Sequence, residues 1–285
     1  MANRKRWSWK EQRDGIWSVD LSSWKYFGTF LSQVLNSSLR FIWRGQQRID
    51  WPLRSTFDRL IDHTKVEASR REWLMNGHLK QFKLAVRGRR GSNPPRLETE
   101  NDWWALGQHQ GLETPLLDWT TSPFVAAFFA FERENDKDSP GTRRAVWALD
   151  QHLVHATVIN LSIDDVVNAR AEFEKAKNTA VLPMEFVPPR LQVEFVVPMS
   201  DENPRLVSQN GLFSRAPLGV DLDSWVSTYF KGSDEPVLLK ISIPNSGRVE
   251  FLRWLNRMNI NHLTLFPDLY GASKFCNSRA RIKGY

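Results

Sequence analysis

The chain has 285 residues, 41% of them hydrophobic and 25% charged, with 39 Lys and Arg against 32 Asp and Glu for a formal net charge of +7. This is ordinary globular usage, and it excludes a disordered chain, a fibre and a disulfide-stapled miniprotein. The one cysteine, Cys276, can form neither an internal disulfide nor a thiolate metal cluster, so a reducing compartment and a cytoplasmic protein are expected. The start, Met1 to Lys10, has the charges of a secretory n-region with no apolar stretch behind it. The longest apolar run, Phe124 to Phe131, is too short to span a bilayer, and no membrane partner is expected.

Residues 1–22 are basic, polar and dotted with Trp, and are expected as an extended N-terminal arm to a domain of residues 23–285. Apolar residues at helical spacing (Phe27, Leu31, Val34, Leu35) predict a helix over Trp24 to Leu39. Phe41-Ile-Trp43 reads as a strand that turns at Arg44-Gly45. Residues 57–98 read as a helical, basic insertion: two helices from Phe57 to Val86, broken near Asn76-Gly77, then a basic loop from Arg87 to Pro95. No acidic residue falls between Glu72 and Glu98.

A helix is expected from Asp102 to His109, stopped by Gly111. Ser122-Pro123 is the clearest helix start, since Ser caps the first turn and Pro suits the first helical position. The helix behind it is apolar nearly all round and should be buried at the centre. Strands follow near Ala145–Leu149, Thr157–Leu161, Leu191–Val197 and Val237–Ile243, with helices at Asp164–Lys177, Ser246–Met258 and Pro267–Cys276. Strands and helices mixed without strict alternation argue an α+β fold, one mixed-sheet domain with helical additions.

Three segments carry more polar chemistry than folding requires. Trp43-Arg44-Gly45-Gln46 sets a fixed cation beside accessible backbone, which suits a phosphate or carboxylate; the competing reading is an Arg that braces a turn through carbonyls. Gln108 to Pro123 gathers His109, Thr114, Asp118, Thr120, Thr121 and Ser122 around a helix end, a strand and a helix start, where an anion could sit. Arg205 to Phe213 places Arg205 and Gln209 so that each could face a cleft, or so that both serve a plain strand with a bulge. There is no G-x-S-x-G elbow, no phosphate loop, no G-x-G-x-x-G and no H-E-x-x-H. The six His are scattered, so no metal is expected, and Cys276 reads as a core thiol.

Taken in order, these segments resemble the FRG domain, a family named for an early (F/Y)-R-G signature that here reads Trp43-Arg44-Gly45. The specific match is Gln108-His109-x-Gly111-Leu-x-Thr114-x-Leu-Leu-Asp118-Trp119-Thr120-x-Ser122-Pro123 with Ala126-x-Phe128-x-Ala130 behind it. Arg205-x-x-x-Gln209-x-Gly211-Leu-Phe213 and Leu265-Phe-Pro267-Asp268-Leu-Tyr-Gly271 resemble the family's later elements. The layout is also similar to ADP-ribosyltransferase folds, in which an Arg grips NAD, a Ser/Thr strand holds the nicotinamide ribose and a late Glu stabilises the sugar. Here Gln209 stands at that late position.

The resemblance implies an NAD-using, ADP-ribosyltransferase-like enzyme or NAD glycohydrolase, acting as a toxin or antiviral defence effector in a bacterium. Its catalytic residues would be Arg44, His109, Asp118 and Gln209; Arg44, Gly45, Thr120, Ser122 and Arg205 would bind NAD. The alternative is a non-catalytic nucleotide- or nucleic-acid-binding module. For nucleic acid, the arm offers Arg4, Lys5, Arg6, Trp7, Trp9, Lys10 and Arg13, and the 87–90 loop adds further cations; the bland reading of the arm is a solvated tail. Arg44, His109, Asp118, Ser122, Arg205 and Gln209 are expected to converge on one cleft.

Overall fold

Short segments rich in aromatic and β-branched residues pair into one sheet. They are β1 (Trp7–Arg13), β2 (Ile16–Leu21), β3 (Phe41–Gln46), β4 (Leu116–Thr120), β5 (Arg143–Asp150), β6 (Glu194–Val196), β7 (Gly211–Arg215) and β8 (Leu238–Pro244). Their order is β1-β2-β8-β5-β3-β4-β7-β6. Among these strands of the described residues, the β2–β8 pair alone is parallel. The computed structural model describes residues 5–35, 40–134, 138–139, 141–161, 192–198 and 204–285. Among them, the helices are α1 (Phe27–Val34), α2 (Thr56–Thr64), α3 (Ala68–Ala85), α4 (Glu100–His109), α5 (Pro123–Phe131), α6 (helical residues 151–161), α7 (Pro204–Ser208), α8 (Leu222–Tyr229), α9 (Arg248–Arg257), α10 (His262–Leu265) and α11 (Leu269–Arg281). The fold is α+β, with one mixed sheet.

Alternation along the strands sends two apolar sets to opposite faces. Phe41, Trp43, Val146, Ala148, Leu239 and Ile241 pack under α1, α5 and α9. Ile42, Leu117, Trp119, Trp147, Leu149 and Leu238 pack under α6 and α8. A third cluster joins α2, α3 and α4 to Leu116 and Phe213. The Trp119 indole donates to Ser214 Oγ at 2.8 Å, which lets a large ring be buried without an orphaned N–H.

Ser122 caps α5 by accepting from the Val125 N–H at 3.3 Å, with Pro123 in the first turn as expected. Two arginines hold the other end. Arg248 donates to the Phe131 and Glu132 carbonyls at 2.8 and 2.9 Å. Arg144, fully buried, donates to the Arg133 and Gln47 carbonyls at 3.1 and 2.9 Å and pairs with Asp138. These satisfy the carbonyls that a helix C-terminus leaves unbonded. The β3 backbone lies against the middle of α5, where Gly45 leaves no room for a side chain.

Several expectations are corrected. The arm is not extended: residues 7–21 form a hairpin at the sheet edge, with Trp7 and Trp9 5.4 and 5.9 Å from Phe30, because period-two apolar alternation outweighs the local charge. Arg44 and Gly45 lie inside β3, where glycine serves close approach and not a bend. The break between α2 and α3 falls at Lys65, which takes the left-handed conformation at φ 53, and α3 runs through Asn76-Gly77. Residues 157–161 are helical: Val154, Val158 and Leu161 meet the sheet at helical spacing, which overrides their β-branched character. Arg205 lies in α7 and Gln209 in the turn that follows, so neither is on a strand. The helix expected from Ser246 starts at Arg248, with Gly247 at its N-cap, and Cys276 is exposed rather than a core thiol. The helix expected over Asp164–Lys177 lies outside the described residues. No helix among the described residues is long and apolar enough to cross a membrane.

Candidate functional site

β3 and β4 are neighbours joined by a single bridge, Trp43 opposite Thr120, whereas β3 pairs with β5 over six residues. At this thinly laddered seam the Arg44 guanidinium stands in for backbone pairing. Its Nη1 donates to the Asp118 carbonyl at 2.8 Å and lies 3.5 Å from the Asp118 carboxylate. The carbonyl bond is what a bracing Arg would make, and here the brace joins two strands. The ion pair is lopsided. The Arg44 side chain is 18% exposed and the Asp118 side chain 57%. Burial lowers the Arg44 pKa from its ordinary value, opposed by Asp118 and reinforced by the charge of Arg59 on α2. Arg44 Nε is buried with no acceptor.

Gln108, in the last turn of α4, donates from Nε2 to the Asp118 carboxylate at 2.9 Å, and its Oε1 accepts from the buried Thr114 hydroxyl. Gly111, at φ 85, ends α4 and turns the chain so that Thr114 returns beneath Gln108. Arg44, Asp118, Gln108 and Thr114 therefore form one polar chain across β3, β4 and α4.

The other candidates form a second group. Thr120 Oγ1 donates to the Gln209 carbonyl at 2.6 Å and accepts from the Ser122 N–H at 3.1 Å. Gln209 donates its side-chain amide to the Leu265 carbonyl at 3.0 Å, tying the turn after α7 to α10. Arg205 pairs with Asp268 and lies 5.4 Å from both the Phe266 and Tyr270 ring centroids. His109 Nδ1 donates to the Ala105 carbonyl at 2.9 Å, and its ring meets Phe213 edge-on at 5.7 Å. The partner is a carbonyl, so Nδ1 carries the proton.

Of the six residues expected in one cleft, Arg44 and Asp118 touch. Thr120 connects Ser122 with Gln209 through hydrogen bonds, and Arg205 is engaged elsewhere, with Asp268. Gly45 belongs to the packing of α5. Sequence reasoning missed Gln108, although it opens the central motif, and Arg59, which no motif marks.

An α+β fold whose mixed sheet carries an Arg–Asp pair at a strand seam defines a domain class with a polar centre on its own sheet. Residues 39–139 match the family model of the FRG domain, a span that includes 57–98, and the chain carries an FRG domain there. No curated protein and no solved structure matches the chain.

Proposed function

We propose that the β3–β4 seam binds an anionic nucleotide, NAD in the first place, and that the protein acts on it as an ADP-ribosyltransferase-like enzyme or NAD glycohydrolase. One observation carries the reading: Arg44 is a mostly buried guanidinium whose Nη1 is bonded to the Asp118 carbonyl at 2.8 Å, whose Nε has no acceptor, and whose charge is paired at no closer than 3.5 Å, to an exposed carboxylate. A buried polar group without a partner asks for one. A pyrophosphate oxygen meets that need with charge-assisted hydrogen bonds, taking over from the Asp118 side chain. The Arg59 charge favours the same ligand.

In this reading Asp118, displaced from Arg44, faces the nicotinamide ribose. Breaking the bond from C1′ to the nicotinamide nitrogen leaves the electron pair on nicotinamide and develops oxocarbenium charge on the sugar, which a carboxylate stabilises. Water or an acceptor hydroxyl then adds to C1′ and loses its proton. Thr120 and Ser122 position the loop above the seam. Consumption of NAD suits a toxin or antiviral defence effector. The test is nicotinamide release from NAD by the wild type, Arg44→Ala and Asp118→Asn. Release lost in both variants supports the enzyme; background release from all three rejects it.

A second reading, nucleotide binding without chemistry, is favoured by Gln209. The residue at the late position uses its amide to hold Leu265 and is not free to act on a sugar. NAD that raises the melting temperature without releasing nicotinamide would select this reading, since a ligand specific for the native state stabilises it.

A further inference from the structure

We propose that the outward face of α3, with the basic loop behind it, is a binding surface for single-stranded nucleic acid, distinct from the Arg44 seam. α3 turns Met75 and Leu79 inward, into the cluster that also holds Phe57, Ile61 and Trp104. Trp73, Lys80 and Leu84 point the other way. Trp73 and Lys80 are seven residues apart, two turns along one helix face, and Arg87 extends the line into the turn that follows. Trp73 is 69% exposed and Leu84 42%. Burial does not account for a Trp in that position.

The charge on this face is of one sign. Residues 73–97 carry six Lys and Arg and no Asp or Glu. Among the described residues no carboxylate lies within ion-pair distance of Lys80, Lys83, Arg87, Arg89 or Arg96. Some surface cations elsewhere are neutralised, as in Lys10 with Asp20, Arg48 with Asp50 and Arg205 with Asp268, while others such as Lys65, Lys231, Arg257 and Arg279 have no such partner among the described residues; what sets this face apart is a run of cations in line with an exposed Trp. The loop is also given shape. Arg90 donates to the Pro95 carbonyl at 2.6 Å, and its guanidinium lies 5.1 Å from the Trp103 ring centroid, with Lys83 Nζ 5.6 Å from the same ring.

Unneutralised cations in line with an exposed ring match a single strand, whose phosphates take the cations and whose unstacked bases offer π-faces. Duplex DNA would satisfy the cations and leave Trp73 unused. An anionic membrane calls for a broad apolar face, and this one offers a single Trp and a single Leu. The rings of the N-terminal hairpin do not compete for the role, because Trp7 and Trp9 pack on Phe30.

The experiment is fluorescence anisotropy of a labelled oligo(dT) of about 20 nucleotides, long enough to cover such a face. It is read over a salt series for the wild type, Lys80→Glu/Arg87→Glu, Trp73→Ala and Arg44→Ala. The wild type should bind at low salt, with affinity falling linearly on a log–log plot and a slope of roughly 0.7 per phosphate contact. The double charge reversal should weaken binding at least about ten-fold and flatten the slope. Trp73→Ala should weaken it about ten-fold with the slope kept, as loss of one stacking ring does. Arg44→Ala should leave it unchanged, which separates this surface from the nucleotide seam. Absence of wild-type binding overturns the proposal, and so does equal binding by the charge-reversed protein. Equal competition by duplex DNA or phosphatidylserine vesicles overturns the single-strand assignment, and unaltered circular dichroism keeps misfolding out of the comparison.

Discussion

Gly45 on β3 faces the carbonyl of Ala126 on α5 so closely that a Cβ at position 45 would lie 1.9 Å from that oxygen and 2.6 Å from the Ala130 nitrogen. The packing of the central helix is thus enough to require glycine as the third residue of the early signature. Ala126 and Ala130 complete the contact from the helix side, and both are fully buried. Because the clash is with backbone, α5 must move as a body to admit a methyl group, and Arg144 and Arg248 hold its far end. Gly45→Ala should destabilise by at least the roughly 1–3 kcal/mol typical of overpacked cores, with a lower urea midpoint. An unchanged midpoint would mean that α5 does not lie where it is described.

Trp119 is a packing residue inside the most specific motif. Trp119→Ala should cost about 3–5 kcal/mol, the range for large aromatics removed from cores. Trp119→Phe should cost less, losing chiefly the bond to Ser214. Thermal unfolding measures both, and equal melting of wild type and alanine variant would show that the ring is exposed and free for a ligand.

Asp268 links α11 to α7. The Gly271 N–H holds its pKa below the ordinary carboxylate value, and the Arg205 side chain adds to the effect. A carboxylate with a lowered folded pKa contributes stability that is present above its unfolded pKa, about 3.9, and is lost as pH falls through the folded one. The attachment of α11 should therefore weaken below about pH 4. Urea midpoints at neutral pH and near pH 3 should converge in Asp268→Asn relative to the wild type; an identical fall in both proteins would assign the acid lability to other groups.

Cys276 is exposed on α11. Ellman's reagent should modify one thiol in the native protein at nearly the rate seen in urea. Labelling that waits on unfolding would put the thiol in the core.

Periodicity carried much of the fold. The α5 cap, the Gly111 stop and the strands of Ala145–Leu149 and Val237–Ile243 follow from local chemistry that tertiary contacts reinforce. It failed where a long-range partner decides. Val154, Val158 and Leu161 become helical because a sheet face lies beneath them, and Trp7 and Trp9 become strand because Phe30 is there to receive them. The site was legible as residue types and not as connections. Arg44 and Asp118 stood out as polar residues, but their meeting depends on the single β3–β4 bridge, a register that strand composition does not encode. Gln209 was marked by its motif, and only the position of Leu265 reveals what its amide does.

The central claim is that Arg44 waits for a phosphate, and calorimetric titration with ADP tests it most directly because ADP carries the pyrophosphate without the reacting bond. The wild type should bind. Arg44→Gln should remain folded, with a melting temperature lowered by loss of the charge-assisted bond to the Asp118 carbonyl, and should bind at least about 10-fold more weakly, since a hydrogen bond to a charged group contributes roughly 1.5–3 kcal/mol and each 1.4 kcal/mol is ten-fold. No heat from the wild type, or equal affinity in the two proteins, would contradict the account and leave Arg44 as a brace between strands.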